Sequence, residues 1–367
     1  MICSCILISA LFIGIYIPLM LKESYLPTMT TTARPQVWTF TGRMTHARRY
    51  HTSSVLPNGK VLVVGGANGP NALSSVELYD PIAGNWTVVN SMNIARYHHT
   101  ASLLTNGQIL VVGGQNTNGT LNSAELYNPL TGIWSFTGNM TYNRSVHIAT
   151  ELSTGEVLVA GGSENGSYLN SAELYDPVTG SWTTTNNMIY TREFHRASIL
   201  TNNYVLISGG RNAGSYLKTA ELYNPLTGIW ISTGNMTYAR RYHRSVLLAN
   251  GKVLAIGGHS IGMYANSTEL YDPTTGVWTM TGSMTYSRHA HIAVLLTDGK
   301  VLVSGGYNSI FQTSAEVYDP STGSWTVVDS MNVGREYHTA SKLANGQILV
   351  AGGYNISYAS TAELFRA

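Results

Sequence analysis

Residues 99–114 read HTASLLTNGQILVVGG, two apolar runs on either side of Asn106 and Gly107. Asn-Gly between apolar runs predicts a β-hairpin with a two-residue turn of positive φ. A variable stretch follows, then SAELY at 123–127, the turn NPLTG at 128–132 and a further strand starting near Trp134. Together these predict one four-stranded antiparallel meander. The pattern recurs along the chain: Gly pairs begin at Gly65, Gly113, Gly161, Gly209, Gly257, Gly305 and Gly352, 48 residues apart except for 47 at the last step. All seven tryptophans keep the same beat, at Trp38, Trp86, Trp134, Trp182, Trp230, Trp278 and Trp325. Self-similarity at such a period marks a repeat architecture, in which each unit buries its apolar face against the next.

The repeat resembles a known one. Gly-Gly ends the second strand, Glu-x-Tyr-Asp-Pro closes the third, Trp sits in the fourth and an Arg leads into the next unit. This is similar to the kelch repeat, and the similarity covers residues 36–367. It implies an all-β, seven-bladed kelch-type β-propeller. Departures are small: Asn128 and Asn224 stand in the Asp slot, and the last unit reads ELFRA, with Phe365 in the Tyr slot. The fragment QVWTFTGRM at 36–44 matches the end of a unit, GIWSFTGNM at 132–140, yet has no front, while the last unit stops after its third strand. The expectation is one shared blade, with the ring closed by the N-terminal strand and no unpaired sheet edge at the seam.

Residues common to all units serve the blade. Arg48, Arg96, Arg144, Arg192, Arg240, Arg288 and Arg335 each precede by three a histidine: His51, His99, His147, His195, His243, His291 and His338. Seven histidines spread around a ring do not converge on one point as zinc or copper ligands must, so hydrogen bonds between neighbouring blades are expected, with no metal and no cofactor. Glu77 and its six equivalents are equally constant, and a half-buried carboxylate needs an arginine or backbone amides. Copper oxidases on the kelch fold use a tyrosine crosslinked to a cysteine, and no cysteine follows Cys5. Other enzymes of this fold resemble sugar isomerases, which need an acid–base pair. Glu193 and Glu336, with His98 or His289 nearby, are the candidates; the alternative is a pair of solvated rim charges.

Residues that vary between units can serve a ligand. In an up-and-down blade, the loops joining strands two to three and four to one leave on one side, and the near-identical Asn-Gly and Pro-x-Thr-Gly turns on the other. The variable side carries Arg49, Tyr50, His98, Glu193, Phe194, Arg241, Tyr242, His289, Glu336 and Tyr337 from the four-to-one loops. From the two-to-three loops it carries Arg211, Tyr216, His259, Tyr264, Tyr307, Phe311, Tyr354 and Tyr358. Exposed Tyr and Arg favour binding hot spots and aromatic faces stack on sugars, so a site toward blades four to seven is expected, for a protein or glycan ligand. The alternative is that these tyrosines pack their own loops. The expected function is a non-catalytic binding scaffold.

Composition narrows the partners. With 367 residues, 44% of them hydrophobic, the chain can bury a large core without staples. Cys3 and Cys5 are the only cysteines, so the repeat region has no disulfide. A net charge of +2 gives no basic field for nucleic acid. Ile2 to Leu21 is an uncharged, mostly apolar run of about membrane-spanning length. Residues 1–21 therefore read as one hydrophobic helix, a signal anchor, with a cleaved signal peptide or a core helix as alternatives. Residues 22–35 read as a Thr-rich linker. Lys22 and Arg34 after the run favour a cytoplasmic body, whereas TMTTTARP reads as an extracellular stalk. The expectation is a single-pass membrane or secreted protein with an extracytoplasmic propeller. Its eight N-x-S/T sequons are little more than this composition produces by chance.

Overall fold

The computed structural model describes residues 36–366. They form seven four-stranded antiparallel sheets, each a blade, with small two-stranded hairpins on most two-to-three loops. Blade two is typical, with Thr100–Leu103 innermost, then Ile109–Val112, Ala124–Asn128 and Ile133–Phe136. The second strand of every blade is buried at all four positions, as in Val61–Val64 and Val253–Ile256. Neighbouring blades cover both of its faces, so it reads as a continuous apolar run instead of an alternating one. The hydrophobic clusters accordingly lie between blades: Leu62 and Val64 of blade one pack with Ile109, Tyr127 and Trp134 of blade two. The expected hydrophobic segment 1–21 and linker 22–35 lie outside the described residues, and no helix among the described residues is long and apolar enough to cross a membrane.

The seventh blade is shared between the two ends of the ring. Val37–Phe40 pairs antiparallel with Ala362–Arg366, setting Trp38 opposite Phe365 with ring centroids 5.0 Å apart. Tyr79 and Trp86 sit opposite each other at the same 5.0 Å in blade one. Phe365 stands in the tyrosine slot of this last unit. Tyr79, Tyr175, Tyr223, Tyr271 and Tyr318 hydrogen-bond through their hydroxyls to Thr41, Thr137, Thr185, Thr233 and Thr281 of the preceding blade. Val89 and Val328 hold the threonine slot in front of Tyr127 and Phe365 and pack in the same clusters, so neither position has a threonine partner for a hydroxyl, and the sequence keeps tyrosine at one and phenylalanine at the other.

The hairpin between the first two strands corrects one expectation. Gly107 has φ +81°, but Asn106 does not share the positive φ of a two-residue Asn-Gly turn. Gly107 donates its N–H to the Leu104 carbonyl, Leu104 donates to Gln108, and the Asn106 side chain accepts from the Gln108 N–H. This is a three-residue connection with one left-handed glycine, the other common hairpin solution. The single 47-residue step lies in the two-to-three loop of blade six, where an isolated bridge between Tyr307 and Phe311 replaces the small hairpin.

Each inter-blade connection is fastened by one buried ion pair. Arg48 donates to Glu77 Oε1 at 2.8 Å, to the Gly65 and Ser75 carbonyls and to Ser75 Oγ. Glu77 in turn accepts the backbone N–H groups of Thr45 and His46 in the connection. All seven Arg–Glu pairs have both side chains fully buried, at 2.6–3.0 Å. A Cβ on Gly65 would lie 2.6 Å from the Arg96 carbonyl oxygen, which is why the pair of glycines is needed beside the arginine.

The constant histidines bridge blades in part. His51, His99 and His147 meet Thr339, Thr52 and Thr100 on the preceding inner strand, and His243 meets Ser208. Nε2 of His195, His291 and His338 has no partner among the described residues. Burial, aided by the nearby arginine, lowers His51 to about 3 and holds His99, His147, His195, His243, His291 and His338 well below the usual imidazole range.

Two outcomes follow from this architecture. A chain beginning at Thr45 loses the outer strand of blade seven and the Trp38 packing, and is expected to melt more than about 3 °C below one beginning at Ala33. Equal melting temperatures would refute closure by the N-terminal strand. The histidines predict acid lability, because the unfolded chain takes up protons near pH ~6.5 and the fold does not. Their stabilising contribution is present above that pH and is lost as the pH falls through it toward the folded values. Calorimetry in buffers of different ionisation enthalpy should show net proton uptake on unfolding at pH ~5. Unfolding without uptake would contradict it.

Candidate ligand-binding face

The connections between blades converge on one mouth of the central channel. Tyr50, His98, Val146, Phe194, Tyr242, Ala290 and Tyr337 all adopt left-handed φ, between +51° and +57°. Each donates its backbone N–H to the carbonyl of its counterpart in the preceding blade, at 3.1–3.4 Å, and the seven bonds close into a ring. Such φ values are unfavourable for bulky residues, and for β-branched Val146 above all. Because all seven blades share them, the strain belongs to the ring and not to a ligand site. The variable side chains of the ring pack together over the mouth. Tyr50 lies 3.9 Å from His98 and 4.4 Å from Tyr337, and Phe194 lies 4.1 Å from Tyr242, centroid to centroid. Burial raises the Tyr50 phenol to about 12, lowers His98 to about 3, and raises Tyr242 and Tyr337. These five rings form a plug. Beneath it the channel encloses about 500 Å³.

The residue before each ring position pairs with the residue after a Gly pair. Arg49 bridges Ala67, Glu193 bridges Arg211, Arg241 bridges His259, His289 bridges Tyr307 and Glu336 bridges Tyr354. The four-to-one and two-to-three loops therefore lie side by side on one face. Around the plug runs a belt of aromatic contacts: Tyr216 to His259, His259 to Tyr264, Tyr264 to His289 and Tyr307, Tyr307 to Phe311, Phe311 to Tyr354 and Tyr354 to Tyr358. Arg49 lies over Tyr50, Tyr354 and Tyr358 at 4.7–5.1 Å, which joins blade one to the belt. Arg241 lies between Tyr216 and Tyr242, 5.0 Å from each. All these rings are half-buried, so much of their surface serves loop packing.

Glu193 and Glu336 are buried, which rules out solvated rim charges. They differ in their partners. Glu193 accepts from Arg211 Nε at 2.6 Å and is neutralised as an ion pair. Glu336 lies 3.8 Å from His289 and makes no ion pair with an arginine among the described residues; burial outweighs the nearby Arg49 charge and pushes its carboxyl up to about 7. His289 is lowered to about 4 by burial. His98 packs against Tyr50 and Phe194 and makes no ion pair with Glu193. Among the described residues no group of three His, Cys, Asp or Glu side chains could hold a metal ion.

One feature escaped the sequence reading. The tips of the two-to-three loops in blades five to seven carry exposed apolar side chains: Ile261 at 74%, Met263 at 65%, Ile310 at 65% and Ile356 at 88% of full exposure. At the positions of Ile261 and Met263, blades one to four have Gly69 and Asn71, Thr117 and Gly119, Asn165 and Ser167, and Ala213 and Ser215, none of them a large apolar residue. Comparison of loop centres among the repeats would have found the difference. The turns of the opposite face are less uniform than expected, since Ile82, Leu130, Val178 and Leu226 stand almost fully exposed there in blades one to four.

A seven-bladed propeller whose variable loops gather on one face defines the class of protein. Residues 51–237 and 190–353 match the KLHDC2/KLHL20/DRC7 Kelch-repeats domain, and the chain belongs to the kelch-repeat family. Among solved structures it is similar to a fungal alcohol oxidase of the AA5 family in complex with copper. That pair is 21% identical with a TM-score of 0.75, over 90% of this chain and 76% of the other. It is also similar to YjhT, at 14% identity and a TM-score of 0.62, over 78% of this chain and 99% of the other. At these identities the likeness is one of fold. No curated protein matches the chain.

Proposed function

We propose that the chain is a non-catalytic scaffold that binds a protein partner on the variable face, off-centre toward blades five to seven. The observation that carries this reading is the set of apolar tips, Ile261, Met263, Ile310 and Ile356, standing above the aromatic belt. Exposed apolar side chains grouped beside half-buried aromatics and arginine are the composition of an interaction patch. Arg241 lies at its edge with no carboxylate partner among the described residues and can take an acidic group of the partner. A polar glycan would leave the apolar tips uncovered, which favours a protein over a sugar.

The test is affinity capture with the full chain, identification of the bound protein, and titration of that protein against variants. Ile261→Asp with Ile310→Asp, and separately Arg241→Ala, should each weaken binding by about 1–3 kcal/mol with little change in melting temperature. Leu130→Asp with Leu226→Asp should leave binding intact. The reverse pattern would move the site to the opposite face. Tyr242→Ala is a poor probe, because Tyr242 is part of the plug.

A second reading rests on Glu336. A buried carboxyl with a pKa of about 7, 3.8 Å from an imidazole, suits proton transfer at neutral pH, as a sugar isomerase would need. If reducing sugars are the substrate, anomer exchange followed by NMR should be accelerated by the chain and fall by about 100-fold or more in Glu336→Gln. Acceleration that persists in Glu336→Gln, or none in the wild type, refutes this reading. Glu193→Gln is the control, since its ion pair makes it unsuited to the role.

A further inference from the structure

The channel beneath the plug breaks the repeat at one position. The residue after each constant histidine opens the inner strand: Thr52, Thr100 and Thr339 in three blades, Ile148 and Ile292 in two, and Arg196 and Arg244 in blades four and five. The threonines have a structural task, for each bonds the histidine of the next blade. The isoleucines and Arg244 leave that histidine unpaired, at His195, His338 and His291. Arg196 and Arg244 thus give up the bond the repeat provides and put a charge into the channel.

No described residue neutralises these charges. Arg196 Nε donates to the His243 carbonyl at 2.7 Å, and Arg244 Nε to the His291 carbonyl at 2.6 Å. No ion pair of either arginine exists among the described residues, in contrast to the seven connection arginines. Their terminal nitrogens meet no protein acceptor there, and both side chains line the cavity of about 500 Å³. Among the described residues no aspartate or glutamate lines it. The two arginines occupy the same register position on neighbouring blades, so their charges add. Burial lowers both guanidinium pKa values, and Arg196 also repels the charge on Arg244. A desolvated like-charged pair without a counter-charge is unfavourable, and a guanidinium fork is shaped for the oxygens of an anion.

We propose that the channel holds one small free tetrahedral oxyanion, of the phosphate or sulfate class, between Arg196 and Arg244. The site is separate from the variable face and acts as a built-in counter-charge that stabilises the ring. It predicts that the anion binds the folded chain and not the unfolded one, so stability rises with the logarithm of its concentration.

The variant that tests this restores the repeat. Arg196→Thr with Arg244→Thr supplies the hydroxyls that Thr52 and Thr100 use toward the next histidine, and removes both charges. The full chain is titrated with inorganic phosphate against sodium chloride of equal ionic strength, by calorimetry and by thermal unfolding. The wild type should bind phosphate saturably at one per chain, with a melting temperature that climbs as phosphate is added. The double variant should melt no lower than the wild type in chloride, and show no phosphate-dependent rise. Arg241→Ala should bind phosphate like the wild type. Lack of saturable phosphate binding in the wild type overturns the proposal, as does binding that survives in the double variant or disappears in Arg241→Ala. If the double variant does not fold, Arg244→Lys decides: it keeps the charge without the fork, and unchanged phosphate affinity overturns the site. None of these outcomes depends on partner binding at the loop face.

Discussion

The connection arginine and its glutamate hold this molecule together. Between outer strand and next inner strand the chain must cross the full width of a blade without regular structure, leaving backbone groups that need partners. The guanidinium reaches back to the carbonyls at the end of the second strand, and the carboxylate catches the N–H groups of the connection. Fully buried charges are tolerated only with such complete pairing, and removing one partner would leave the other stranded. The glycine pair, the serine or threonine before the third strand and the glutamate within it are therefore one unit with the arginine. Their fixed spacing is the repeat.

Side-chain contacts between blades explain why the repeat tolerates some changes and not others. Tyrosine on the third strand packs at a tilt against tryptophan of the fourth and, in most blades, reaches across to a threonine. Where the threonine is valine, at Val89 and Val328, the slot keeps tyrosine as Tyr127 in one blade and takes phenylalanine as Phe365 in the other, so the contact there is apolar packing. Ring closure obeys the same rule, with Trp38 taking the place that a fourth strand of blade seven requires.

The functional face arises from the same constraint. Seven connections meeting at one mouth force seven residues into a left-handed ring of hydrogen bonds, so the backbone there is invariant while the side chains vary. Five of them close the channel, and that closure separates two environments. Above lie the aromatic belt, the arginines and the apolar tips; below lies a channel with two guanidinium groups that have no ion pair among the described residues. A buried carboxyl at Glu336 belongs to the upper layer and is set apart from Glu193 by the lack of an arginine partner.

The sequence by itself determined the all-β repeat, the seven blades and the closure through Trp38, because periodic glycines, tryptophans and an orphan strand leave one way to pair every edge. It also determined which loops share a face, since strand alternation in a meander dictates it. Only the tertiary structure decided which of those loop residues are free. Tyr50, Phe194, Tyr242 and Tyr337 look equivalent to the belt tyrosines in a repeat alignment, yet they meet across the channel, a contact between blades far apart in the chain. The burial of Glu193 and Glu336, and their different partners, likewise depend on loops that come together only when the ring closes. Arg196 and Arg244 break the repeat in the sequence, but only the walls of the channel, to which every blade contributes, give that break a meaning, because no acid among the described residues answers them.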